Sequence, residues 1–213
     1  PMTRDARSER LLLADDLDRL GPDAPTLCAG WQTRDLAAHV VIRDSRPDLF
    51  VREHLPLVRD RAKREMRRIA QSDYGQLVSR VRDGAPSWNP MSWEAVDERA
   101  NLLEFFVHHE DVRRAQAEWS ARKLDRELEE HLWTDLRRFA RIAFRRSPTG
   151  IVLVAEGLGR HAARLPDERG TVVIRGAAQE LVLFAFGRTG VAQVELSGDA
   201  DDIAALQASR LSI

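Results

Sequence analysis

Apolar residues recur at helical spacing over the first two thirds of this chain and in short strand-like runs over much of the rest. Between Arg4 and Leu20, Leu13, Leu17 and Leu20 fall at i, i+4 and i+7 among acids and arginines, and Gly21-Pro22 ends the run, so the pattern predicts an amphipathic helix. Thr33 is a good N-cap, and Asp35 sits where the partial positive charge of a helix start favours an acid. A second helix is expected from about Arg34 to Asp44, with Leu36, Ala37, Val40 and Val41 facing the core and His39 among them. From Phe50 to Ile69 the apolar points are sparse, and Pro56 breaks or starts a helix there. Tyr74 to Val81 reads as a short helix. Ser92 can cap a long one from Trp93 to about Trp119, and another is expected over Asp125 to Arg145 with Leu128, Leu132, Trp133, Leu136, Phe139, Ile142 and Ala143 inward.

The pattern changes at Ser147-Pro148-Thr149-Gly150. Beyond it, β-rich runs at Ile151–Ala155, His161–Leu165, Thr171–Ile174 and Val191–Leu196 are punctuated by glycines, with helical stretches at Ala177–Phe186 and Asp199–Ser209. The expected organisation is a mainly α chain: a helical domain over residues 1–147 and a small α+β domain over 148–213.

Composition narrows the function. The 33 basic and 34 acidic residues nearly cancel, so nothing in the balance favours tracking a phosphate backbone, and a nucleic-acid partner is not expected. Lys63 and Lys123 are the only lysines, an arginine bias that hints at a GC-rich host. Cys28 is the single cysteine, which excludes an internal disulfide, makes a cysteine-built zinc site implausible and fits a reducing cytoplasm. No apolar run reaches the roughly 20 residues of a membrane span, and Pro1 to Asp5 lack the apolar core of a signal peptide, so the reading is a soluble cytoplasmic protein with no membrane partner.

Any metal would therefore use imidazole and carboxylate. Glu104 and His108 are four apart in Asn101-Leu102-Leu103-Glu104-Phe105-Phe106-Val107-His108-His109-Glu110-Asp111, so they leave one helix face a turn apart. Leu103, Phe106 and Val107 imply burial, where an unpaired carboxylate and imidazole are costly and a divalent cation would satisfy both. His39, within an inward-facing helical pattern, is the best-placed third ligand; two histidines and one glutamate form a three-ligand set that leaves room for water or substrate. An ion pair between Glu104 and His108, or a histidine satisfied within the core, explains the same spacing equally well. His109, about 100° from His108 around the helix, is expected at the surface or behind the ligands. Asp35 could orient His39, or simply serve as a helix-start acid. His54, His131 and His161 read as surface residues, and Cys28 as a small packed one. Trp88, Trp93, Trp119 and Trp133 read as core or as the lining of a cleft or interface. Glu110 and Asp111 follow the ligand on other faces, which leaves no evident general base for a hydrolase.

Trp31-Gln32-Thr33-Arg34-Asp35-Leu36-Ala37-Ala38-His39-Val40 resembles the segment that opens the second helix in the mycothiol-dependent maleylpyruvate isomerase N-terminal domain, and Glu104 to Ala115 resembles that group's second metal motif. The resemblance implies a DinB-like four-helix bundle followed by a small α+β domain, with His39, Glu104 and His108 as metal ligands. It implies zinc ahead of nickel or iron as the ion, mycothiol as thiol cosubstrate, and an actinobacterial host. The stretch Gly176 to Arg188 is similar to a helix ending in Gly-Arg in the second domain of those isomerases, which implies that Arg188 faces the metal cleft and binds substrate carboxylate; as a residue read alone, it is equally a helix cap. The activity implied is S-transfer or isomerisation of a small electrophile by an activated thiolate; the alternative is a metal-binding sensor or interaction module without turnover. The short second domain and the compact linker between Arg145 and Ile151 depart from the full isomerase pattern and put the maleylpyruvate reaction itself in question.

Overall fold

A computed structural model describes residues 4–45, 56–84 and 94–209. Among these residues there are eight helices and four strands, divided between two compact units, Pro1–Ala121 and Arg122–Ile213. None of the helices is long and apolar enough to cross a membrane.

The first unit contains α1 (Arg4–Leu20), α2 (Thr33–Ser45), α3 (Pro56–Ala70), α4 (Tyr74–Asp83) and α5 (Glu94–Arg113). Helix α1 lies along α5 and also meets α4, while α2 packs on α3 and α4. Two of the three stripe residues expected on α1, Leu13 and Leu17, are fully buried, against a core that includes Leu36, Leu77, Val81, Leu102, Phe105 and Phe106, while Leu20 is half-buried. Gly21 ends α1 at φ 77°, a left-handed conformation that glycine adopts without steric cost, and its N–H returns to Leu17 O at 3.1 Å. Helix α5 stops at Arg113 rather than near Trp119. There Gln116 N bonds Arg113 O in a tightened turn, while the Gln116 side chain donates to Val112 O at 2.7 Å and takes a carbonyl the next turn would have used. Ser92, His54, Trp88 and Trp93 lie outside the described residues.

Charge is also buried in this unit, which the apolar stripes do not announce. Arg10 donates to Asp44 Oδ2 at 2.7 Å and to Val81 O at 2.9 Å, with its guanidinium 4.3 Å from the Phe105 ring centroid. Glu110 pairs with Arg114 at 2.6 Å and with Arg113 at 2.8 Å.

The second unit contains α6 (Arg126–Ala143), the strands β1 (Gly150–Ala155), β2 (Gly159–Arg164), β3 (Thr171–Gly176) and β4 (Glu195–Ser197), and helices α7 (Ala178–Ala185) and α8 (Ala200–Ala208). The sheet order is β2-β1-β3-β4, with β1 and β3 parallel and both outer pairs antiparallel. Every residue of α7 is buried, and α6 packs on it and on β2 through a face that includes Leu132, Trp133, Leu136 and Ala140. Composition shifts at residue 147 because strands begin there. Packing divides the chain earlier, after Ala121, because the apolar face of α6 is covered by α7 and the sheet. Ile142, expected inside, is half exposed. The last expected strand, Val191–Leu196, shortens to β4, and residues 188–192 instead form a turn in which Val191 and Ala192 N–H groups reach Arg188 O.

Candidate metal centre

The loop between α1 and α2 is pinned on both sides before it presents any chemistry. Thr33 N bonds Ala24 O at 2.9 Å, Leu27 N bonds Asp111 O at 3.0 Å, and Trp31 N closes onto Cys28 O at 2.9 Å. Helix α2 starts with the Asp35 carboxylate accepting Gln32 N–H at 3.0 Å. Asp35 is therefore a helix-start acid with its charge turned to the loop, and Thr33 uses its hydroxyl on Gly21 O instead of capping. One turn on, His39 leaves α2 and its ring reaches Glu104 of α5.

Across from it, one oxygen of Glu104 gathers the site. Oε1 lies 3.3 Å from His39 Nε2, 3.0 Å from His108 Nε2 and 3.5 Å from Arg43 Nε. The three candidate ligand atoms all fall within 4.8 Å of one another. Donors about 2.0–2.1 Å from a tetrahedral zinc are separated by roughly 3.3–3.4 Å, so the nitrogen-to-oxygen spacings fit one ion, and two imidazoles with one carboxylate are an appropriate set for it. The same spacings are hydrogen-bond lengths, so without an ion a proton on His108 Nε2 joins it to Glu104.

Surroundings separate the two histidines. Burial lowers the pKa of His39 despite its hydrogen bond to Glu104, with the neighbouring His108 adding to the depression, so His39 is neutral and has a lone pair to offer. Burial also disfavours the charged form of His108, but the Glu104 charge and the hydrogen bonds to Asp111, Cys28 and Glu104 outweigh it and raise its pKa well above the ordinary value. Burial opposes ionisation of Glu104, yet His108, His39 and Arg43 together hold its carboxyl well below the usual carboxylate range. The carboxylate thus stays anionic at neutral pH and holds a cation, whether proton, guanidinium or metal.

The second ring nitrogen of His108 faces Asp111, with Nδ1 3.0 Å from Oδ2, and Asp111 is fully buried. A carboxylate accepting Nδ1–H fixes the tautomer that leaves the Nε2 lone pair for a metal. The sequence reading set Asp111 on another face; three residues from His108 is close enough around a helix for the side chains to meet, and that spacing was the available signal. Arg43, four after His39, and Asn101, three before Glu104, are hydrogen-bonded to each other and extend the site by the same rule. The Trp31 ring lies 5.2 Å from that of His39, and the His39 and His108 rings meet edge-on at 5.0 Å, limiting how either imidazole turns.

Cys28 and His109 depart from their expected places. Cys28 Sγ donates to Asp111 Oδ2 at 3.2 Å and thus adjoins the histidine cluster, a placement that 83 residues of separation hide from the sequence. His109 is buried, not at the surface, between Glu9 Oε2 at 3.0 Å and Asp16 Oδ2 at 3.3 Å, both on α1. Glu9 and Asp16 are seven apart, hence on one face of α1, which is the pattern that foretells such a pair.

In the second unit, Arg188 follows α7 and donates to Phe186 O at 2.6 Å. His131 is exposed, whereas His161 is half-buried, edge-on to Trp133 at 6.5 Å between ring centroids. Trp133 is core, and Trp119 is half-buried beneath the Arg114 guanidinium at 4.8 Å.

No protein-family model matches the chain. No curated protein matches it either. Among solved structures, that of a mycothiol-dependent maleylpyruvate isomerase is similar, with a TM-score of 0.61, 17% sequence identity and 90% of each chain covered. At that identity the likeness establishes a shared fold.

Proposed function

We propose that this chain is a divalent-metal-dependent enzyme of the DinB-like, four-helix-bundle type that uses a small-molecule thiol, mycothiol in the first instance, for S-transfer to or isomerisation of a small electrophile. The observation that carries the reading is the single carboxylate oxygen of Glu104 set between two imidazole nitrogens, at 3.3 and 3.0 Å, within a fold shared with a mycothiol-dependent isomerase.

His39, Glu104 and His108 are the proposed ligands, with zinc favoured by the mixed nitrogen and oxygen donors and Ni2+ or Fe2+ as alternatives. A divalent ion held there supplies Lewis acidity that lowers the pKa of a thiol and so favours its nucleophilic thiolate. The protein's own groups do the rest. Glu104 contributes negative charge where the cation sits, and Asp111 accepts Nδ1–H of His108 to direct Nε2 toward that charge. Trp31 packs on His39 and fixes the plane of its ring. Arg188 is the proposed partner of a substrate carboxylate, because its guanidinium is planar and permanently charged.

A second reading is a metal-binding module without turnover. It is favoured by Arg43, whose Nε stands 3.5 Å from the same Glu104 oxygen and already balances part of its charge. The discriminating experiment measures conversion of a panel of electrophiles with and without mycothiol, and with and without added zinc. Conversion that needs both, and that disappears in His39→Ala, supports the enzyme. Zinc binding that His39→Ala abolishes, with no thiol-dependent conversion by the wild type, favours the module. Zinc content unchanged in both His39→Ala and His108→Ala would refute the ligand assignment itself.

A further inference from the structure

We propose that the opposite edge of the His108 ring carries a second cation site, formed by Cys28 Sγ, His108 Nδ1 and Asp111 Oδ2, that takes a thiophilic divalent ion such as Cd2+ or Zn2+. The three atoms lie within 4.8 Å of one another, with Sγ 3.2 Å and Nδ1 3.0 Å from the same carboxylate oxygen. These spacings approach the roughly 3.3–3.8 Å edges of a tetrahedron built on Zn–N near 2.0 Å and Zn–S near 2.3 Å. Sulfur, imidazole and carboxylate together form a donor set of the kind structural and catalytic zinc sites use, and sulfur tilts the preference toward softer ions.

The site is held in place independently of any ion. Leu27 N–H is bonded to the backbone carbonyl of Asp111, which ties the residue before Cys28 to the residue that supplies the carboxylate. Cys28 O accepts from Trp31 N–H at 2.9 Å, and Thr26 Oγ1 donates to Trp31 O at 2.9 Å, so the turn that bears the thiol is braced from within. Cys28 is half-buried, whereas Asp111 is fully buried, so an ion can reach the sulfur while the carboxylate stays screened from water. In the metal-free protein Asp111 accepts hydrogen bonds from the Cys28 thiol and from His108 Nδ1–H; an entering dication displaces both protons to solvent and leaves a thiolate, an imidazole and a carboxylate around it.

A neutral imidazole offers one lone pair. An ion on Nδ1 therefore leaves the remaining ring proton on Nε2, where His39 and Glu104 would otherwise share their ion with His108, and the two sites exclude each other. That exclusion rests on the proposed His39, Glu104 and His108 centre, whereas the sulfur site does not.

The test is a titration of the metal-free full chain with Cd2+, followed by sulfur-to-cadmium charge-transfer absorption in the ultraviolet and by the rate at which a maleimide alkylates Cys28. The wild type and His39→Ala are expected to give the charge-transfer band at one equivalent of Cd2+ and to be alkylated at least about tenfold more slowly when loaded, because a coordinated thiolate is withdrawn from the attacking pool. Cys28→Ser is expected to lose the band. His108→Ala, or Asp111→Asn if the former fails to fold, is expected to bind Cd2+ at least about tenfold more weakly. His39→Ala without the band, or His108→Ala and Asp111→Asn binding Cd2+ through sulfur as tightly as the wild type, overturns the proposal. Because His39→Ala retains the sulfur site but not the proposed nitrogen and oxygen centre, failure of one is distinguishable from failure of the other.

Discussion

Replacing Glu104 by Gln keeps the side chain's shape and removes its charge, which isolates what the anion does between the two imidazoles. In the protein free of metal, the change removes one of the two carboxylates beside His108, which keeps Asp111, and puts a neutral amide beside Arg43. Breaking a wholly buried ion pair costs about 3–5 kcal/mol, and because the Glu104 side chain is 22% exposed the expected loss is lower, about 1–3 kcal/mol. The metal-bound comparison is the informative one. Losing a residue that only orients a ligand lowers metal affinity about 10- to 100-fold, so losing the one charged ligand is expected to lower it at least about 100-fold. At a zinc concentration of about 100 times the wild-type Kd, binding stabilises the wild type by about 2.7 kcal/mol, whereas the variant, now near its own Kd, gains only about 0.4 kcal/mol. For a unit of this size that corresponds to thermal shifts of about 10 °C and about 2 °C. Circular dichroism melting, each protein measured with zinc and with chelator, subtracts the charge-pair effect from the metal effect. Equal zinc-induced shifts in the two proteins, or none in the wild type, would show that Glu104 is an ion-pair partner and not a ligand.

Further outcomes are expected. Asp111→Asn keeps an acceptor opposite His108 Nδ1 but a weaker one, and zinc affinity measured by chelator competition is expected to fall about tenfold, about 1.4 kcal/mol; an unchanged value refutes the orienting role. Zinc affinity is expected to rise with pH, approaching tenfold per unit while His108 is still protonated, because the proton on Nε2 must leave; a flat profile between pH 6 and 8 contradicts the raised pKa of His108. The metal-free protein should show the converse: the contribution of His108 is fully present below about pH 6.5 and is lost as pH rises through its raised pKa, while that of Glu104 is present above about pH 4.3 and is lost as pH falls through its depressed one. His109→Gln removes the imidazole between Glu9 and Asp16 and is expected to destabilise the chain by about 3 kcal/mol in urea. In the same variant the Asp16 carboxyl, held at about 2 chiefly by its hydrogen bond to His109, should titrate nearer its ordinary value by NMR; an unmoved Asp16 shows that His109 does not hold it.

Sequence by itself determined the elements and half of the candidate centre. Helices α1, α2, α4 and α6 follow from apolar spacing and end signals, and Glu104 with His108 follows from a single helical turn, because each of these depends only on neighbours along the chain. Tertiary structure decided which distant groups meet. The approach of His39 to Glu104 spans 65 residues and that of Cys28 to Asp111 spans 83, and no local period encodes either. Burial is the other quantity the sequence withheld: His109 looks like a polar residue beside a candidate ligand until α1 covers it with two carboxylates, and α6 looks like part of the first domain until α7 and the sheet cover its apolar face. The physical reason is the same throughout. Helix formation is written in contacts three and four residues apart, whereas the charge state of a carboxylate or imidazole is set by whatever the folded chain brings within a few ångströms of it.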